Sequence, residues 1–201
     1  SRGLGDVYKR QDLYNGAGSL KKTAEITAPY PDVGDDFGFS IAIYEDYLLI
    51  GSPGSNDGHG SAHLYHKNYS GDWVLIKTYE NPNQNQFQKY SQKFGYSVAL
   101  NDKYVVIGSP FYNDGNVFIY EFNPETQDFA YQNTPFQTID VRNLGDVEGC
   151  YELGPDKFGF GLSLSFRNNK LLIGSLKDFV YLTEFKNGII EGEQIPIPQS
   201  E

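Results

Sequence analysis

Residues Phe37–Pro53 read FGFSIAIYEDYLLIGSP, residues Phe94–Pro110 read FGYSVALNDKYVVIGSP, and residues Phe158–Leu176 read FGFGLSLSFRNNKLLIGSL. One phrase written three times decides the architecture before any local element is assigned, because a repeat fixes the unit from which a fold is built. From the first Phe of each copy to the Gly behind its apolar run (Gly51, Gly108, Gly174) the step is 14, 14 and 16 residues. The copies start 57 and then 64 residues apart. A near-constant interior with a variable outer spacing describes a fixed structural unit joined by loops of adjustable length.

Each unit reads as strands. Ile41 and Ile43 alternate with Ser40, Ala42 and Tyr44, the period of two of a pleated strand. After the short break Glu45-Asp46 comes Tyr47-Leu48-Leu49-Ile50, an apolar run too short for a helix and suited to a strand covered on both faces. The second unit breaks at Asn101-Asp102 and the third at Asn168-Asn169, so each pair is predicted to be an antiparallel hairpin. Further strands follow at Ser61–His66 and Trp73–Tyr79, at Asn116–Phe122, and at Phe179–Phe185 with a hairpin turn at Asn187-Gly188. The expected class is all-β. Four-stranded antiparallel meanders at this spacing predict β-propeller blades, about 37–80, 94–141 and 158–195, with a leading outer strand about 19–28 from a preceding blade. Three blades make a partial arc rather than a ring, so further blades of its own chain are expected as the arc's first partners.

The repeated residues have physical tasks in such blades. Gly and Ser at Gly51-Ser52 and Gly108-Ser109 permit close backbone approach near a crowded axis, and Pro53 and Pro110 follow them. Phe37, Phe94 and Phe158 are expected to fill the seams between sheets, beside Gly38, Gly95 and Gly159. The pattern Phe-Gly-x-Ser, then Gly-Ser-Pro, resembles the FG-GAP repeat, clearly in two units and more weakly in the third, where Gly161 stands at the Ser position and Ser175-Leu176 replaces Ser-Pro. The resemblance spans about residues 19–190 and implies an integrin-α-type propeller.

Ser1–Gln11 (SRGLGDVYKRQ) do not fit the pattern. Reverse-translated, they match a transposase-type sequencing adapter, so 1–11 are set aside as a scar of an environmental or transcript assembly and 12–201 are read as the propeller fragment.

Composition narrows the function classes. The net charge is −10, and the scar carries +2 of it (Arg2, Lys9 and Arg10 against Asp6), which leaves −12 for the rest. Nucleic acid and anionic membranes attract clustered Lys and Arg, so neither is an expected partner. No apolar run approaches the ~20 residues of a membrane helix. The single Cys150 permits no internal disulfide and lacks a motif that would mark it as a nucleophile.

No catalytic constellation is readable. In the integrin-type members the resemblance implies a calcium loop between the first two strands of a blade. Here that connection is reduced to Glu45-Asp46 and Asn101-Asp102, while Ser165–Lys170 lacks carboxylates, so the integrin-type loop is absent and no cofactor is expected, with calcium as the alternative through a weak rim contact. Asn56-Asp57-Gly58 and Asn113-Asp114-Gly115 recur as turns, with Asp57 and Asp114 as candidate rim contacts. His63 and His66 lie three apart on a strand and face opposite ways, so with His59 they do not form a zinc site. Asn68-Tyr69-Ser70 is a glycosylation sequon at Asn68. The longest departure from regularity, Asp128–Pro155, is the expected contact surface, with Tyr131, Phe136 and Tyr151 as its candidate residues. The expected function is a non-catalytic binding or adhesion scaffold for a protein or glycan, extracellular or at the cell surface. The alternative is an accessory propeller of a larger secreted enzyme of hydrolase or lipase type.

Overall fold

A Phe-Gly pair at the centre of a type II β-turn explains the repeat, because that turn needs a positive φ at its third residue and Gly supplies it without strain. In the computed structural model Gly38, Gly95 and Gly161 have φ of 84°, 85° and 87°. The turns close through Phe39 N–H to Asp36 O, Tyr96 N–H to Lys93 O and Leu162 N–H to Gly159 O, at 3.0, 3.0 and 3.1 Å. The residue that opens each turn is left-handed as well: Asp36, Lys93 and Gly159 have φ of 56°, 57° and 54°. The structure describes residues 12–14, 20–22, 24–83, 91–111, 115–121, 123, 134–140, 159–175, 179–186 and 189–196.

Strands follow each turn in order. The first sheet holds β3 (Ser40–Tyr44), β4 (Tyr47–Ser52), β5 (Ser61–Lys67) and β6 (Trp73–Glu80). The second holds β7 (Ser97–Leu100), β8 (Tyr104–Ser109), β9 (Asn116–Glu121) and β10 (Gln137–Asp140). The third holds β11 (Ser163–Arg167), β12 (Lys170–Gly174), β13 (Phe179–Lys186) and β14 (Ile189–Pro196). Each is a four-stranded antiparallel meander with its strands in sequence order. β1 (Asp12–Tyr14) and β2 (Leu20–Lys22) form a two-stranded ladder of their own. The inner strand β7 packs on β3 and β4, and β11 packs on β7 and β8. Among the described residues the chain is thus an all-β partial propeller arc of three successive sheets.

Two cores fill the two seams. Leu49, Leu64, Tyr79, Phe94, Val98, Leu100 and Phe118 join the first sheet to the second. Ala99, Val106, Ile119, Phe160, Leu171 and Ile173 join the second to the third. A smaller cluster of Leu48, Ile50 and Tyr65 lies on the outer flank of the first sheet, covered by Ile26, Phe37, Trp73 and Leu75.

Three expectations change. The third unit takes Phe160-Gly161, two residues beyond Phe158-Gly159, as its turn pair. The Gly161 N–H reaches Gly174 O at 3.1 Å, as Gly38 reaches Gly51 O at 3.0 Å and Gly95 reaches Gly108 O at 3.1 Å. Ser163 then pairs with Gly174, as Ser40 with Gly51 and Ser97 with Gly108, so the motif serine is retained and the inner step is again 14 residues. The leading strand is shorter than expected, since Leu20–Lys22 is strand and residues 24–28 carry no ladder. Finally, part of the 128–155 insert is the outer strand β10, paired with β9.

Candidate functional site

The seams are built by backbone approach that only Gly allows. A Cβ on Gly51 would sit 2.0 Å from Gly95 O, and one on Gly108 would sit 2.2 Å from Gly161 O. The Ser40 hydroxyl donates to Gly95 O at 2.8 Å, and the Ser97 hydroxyl makes the same bond to Gly161 O. The serines of the Gly-Ser-Pro segments tie each unit to its own turn: Ser52 Oγ donates to Asp35 O at 2.9 Å and Ser109 Oγ to Gln92 O at 2.8 Å. Pro53 and Pro110 are buried just past β4 and β8, where a missing N–H ends the ladder without cost.

Each turn Phe meets the same place in its own third strand. Phe94 lies 5.4 Å from Phe118 and Phe160 lies 6.2 Å from Tyr181, between ring centroids. In the first sheet Phe37 lies 5.6 Å from the equivalent residue, His63. Phe94 and Phe160 are wholly buried in seams, whereas Phe37 on the outer flank is only half-buried.

His63 therefore holds a seat that is aromatic in the other two sheets, and it is wired into a polar chain. The Ser55 hydroxyl donates to Ser52 O at 2.9 Å, so across the 2.7 Å contact between Ser55 and Ser61 the proton comes from Ser61. Ser61 Oγ then accepts from His63 Nε2–H at 3.1 Å, and His63 Nδ1 accepts from the Thr78 hydroxyl at 3.1 Å. Burial pushes the imidazole down to about 4, so it is neutral at pH 7. Because His63 donates to Ser61 rather than accepting from it, the pair is not arranged as a base and a nucleophile.

This chain floors a cleft of about 640 Å³ between residues 28–35 and the turn after Gly51-Ser52. Asp32, Asp35, Asp57 and Glu80 stand around it, with Tyr30 and Val33 exposed at its mouth. Asp32 and Asp35 are turn formers: Asp35 Oδ2 accepts from Asp32 N–H at 2.9 Å and Asp32 Oδ1 from Val33 N–H at 2.7 Å. Among the described residues no group of three or more His, Cys, Asp or Glu side chains gathers as a metal site.

The candidate contact residues fall in different places. Asp57 is exposed in a turn where Asn56 and Asp57 have φ of 51° and 56° and Gly58 has 87°. That turn docks on the second unit, with Lys93 N–H donating to Gly58 O and Phe94 N–H to His59 O, both at 3.0 Å. Phe136 is 45% exposed at the start of β10, with its ring 6.4 Å from Tyr104. Asn68 lies in the β5–β6 turn, where its Oδ1 accepts from Asp72 N–H at 2.9 Å. Asp114, Tyr131, Tyr151, Phe158 and Cys150 lie outside the described residues.

Sequence reasoning missed the His63 chain and a run of aromatic contacts, where the Phe39 and Tyr96 rings meet at 4.6 Å with a 49° tilt and Tyr96 meets Phe111 edge-on at 5.1 Å. Aligning the third strands of the three units would have exposed His63 as the polar exception. Among the described residues no helix is long and apolar enough to cross a membrane. Residues 20–65 match the family model of the FG-GAP repeat. Comparison with curated proteins gives no match.

Proposed function

With the FG-GAP repeat as its building unit, we propose that the chain is a non-catalytic scaffold that binds a protein or glycan at the cell surface or outside the cell. The supporting observation is the seam itself. Backbone contacts at Gly51–Gly95 and Gly108–Gly161 lock the sheets into one rigid frame, and rigid frames present variable loops as contact surfaces. The reversed wiring of Ser61 and His63 agrees with a role other than covalent catalysis. The extracellular setting rests on the usual employment of the family and is an analogy at the level of fold.

Immobilised chain should retain a subset of ligands from a glycan array or a panel of collagen, laminin and fibronectin. Combined Tyr131→Ala, Phe136→Ala and Tyr151→Ala substitution should lower that retention at least about tenfold, the order expected when aromatic anchors are truncated. No retention of any probe, or full retention by the triple variant, contradicts the reading of the insert as the contact surface.

A further inference from the structure

We propose that Asn68, at the tip of the β5–β6 hairpin, is an acceptor for an N-linked oligosaccharide. The tip is a closed five-residue turn between Lys67 and Trp73. Asn68 N–H donates to Asp72 O at 2.8 Å, Gly71 N–H to Asn68 O at 2.9 Å, and Asp72 N–H to Asn68 Oδ1 at 2.9 Å. Gly71 supplies the positive φ, +89°. Those bonds account for Asn68 and Gly71 as turn formers. They do not account for Ser70, which is exposed and whose hydroxyl makes no hydrogen bond among the described residues. An Asn with Ser or Thr two places on is the acceptor pattern for this modification, and in 201 residues it occurs once.

The geometry leaves the reacting atom free. The turn uses the side-chain oxygen of Asn68 and leaves its amide nitrogen, Nδ2, without a partner among the described residues. In the transfer, Nδ2 bonds to the anomeric carbon of an oligosaccharide carried on a lipid pyrophosphate. The bond from that carbon to the pyrophosphate oxygen breaks and its electron pair leaves with the lipid pyrophosphate. Nδ2 gives one of its two protons to a base of the transferase. The amide oxygen is untouched, so the bond from Asp72 N–H survives the modification. Space is available as well. Tyr69, Ser70, Gly71 and Asp72 are all exposed, and a Cβ on Gly71 would meet nothing within 4 Å. The tip lies at the Lys67 and Trp73 ends of its strands, opposite the Ser61 and Glu80 ends that border the cleft. A glycan there leaves the cleft uncovered.

Native modification rests on the extracellular setting proposed above, because the transferase lies on the secretory route; a supplied leader separates the two. The 201-residue chain, translated behind a cleavable secretory leader with microsomes, should become protected from protease. The protected chain should gain one electrophoretic step that peptide N-glycosidase removes. Release in heavy-oxygen water should place the label at Asn68. Ser70→Ala keeps the turn bonds and should lose the step, whereas Ser70→Thr should retain it. Protected chain without the step, label at another residue, or a step that persists in Ser70→Ala overturns the proposal. The purified glycosylated chain should melt no lower than the same chain made in bacteria without the modification. A clear drop in melting shows that the turn does not carry the group and overturns it equally. Failure of ligand retention, by contrast, counts against the scaffold reading and leaves each of these outcomes unchanged.

Discussion

The Ser40 hydroxyl donates to the carbonyl of Gly95 at 2.8 Å, a bond that ties the opening of one unit to the opening of the next. The same bond from Ser97 to Gly161 O makes the side chain of the motif serine a seam contact, while its backbone pairs within its own hairpin. A neutral hydrogen bond of this kind contributes about 0.5–1.5 kcal/mol. Ser40→Ala and Ser97→Ala should each cost about 1 kcal/mol in urea unfolding. Ser163→Ala should cost nothing in monomeric protein, because its seam is open.

The seam glycines are required for two separable reasons. Gly95 has φ +85°, and a Cβ there would lie 2.2 Å from Ser61 O, whereas Gly71 has φ +89° with nothing within 4 Å. Gly71→Ala should therefore cost only the conformational strain, about 1–2 kcal/mol. Gly95→Ala should add the backbone clash and lose clearly more, measurable as a larger drop in urea midpoint.

Phe94 and Phe160 are wholly buried in seams, while Phe37 is half-buried on an open flank. Truncating a buried Phe to Ala costs about 3–5 kcal/mol. Phe94→Ala and Phe160→Ala should fall in that range, and Phe37→Ala should cost markedly less.

His63 makes stability depend on pH in one window. Its folded value is held down at about 4 by burial, against 6.5 for the free side chain. Between those values the unfolded chain binds a proton that the folded chain excludes, so stability falls as pH drops from about 6.5 to 4 and levels off below. The full loss amounts to about 3 kcal/mol. Urea midpoints at pH 7, 5.5 and 4.5 should show the decline in wild type. His63→Phe, which copies the aromatic seat of Phe118, should flatten it.

The architecture was legible because hairpin breaks and apolar runs repeat at fixed spacing, and the three meanders follow from them. The third register was not. FGFG at 158–161 offers two Phe-Gly pairs two residues apart, and a slip of two preserves strand phase, so side-chain alternation could not choose between them. The step of 14 residues held by the other two units was the available signal. Within the insert, Gln137-Thr138-Ile139-Asp140 is too short and too polar to stand out, and its strand identity comes from pairing with β9. The cleft floor was hidden because Ser55, Ser61, His63 and Thr78 meet only after β5 and β6 align.

The most direct test of the repeated turn compares Gly159→Asp with Gly161→Asp by urea unfolding. Gly159 holds the left-handed seat that Asp36 and Lys93 occupy in the other units, so Asp there, at a buried position, should cost about 1–2 kcal/mol and leave the turn intact. Gly161 holds the positive-φ centre of the turn, with Val117 Cγ2 3.0 Å from a Cβ, and Asp there should lower the midpoint severely. The opposite order, with Gly159→Asp the damaging change, would contradict the turn assignment and the seam built on it.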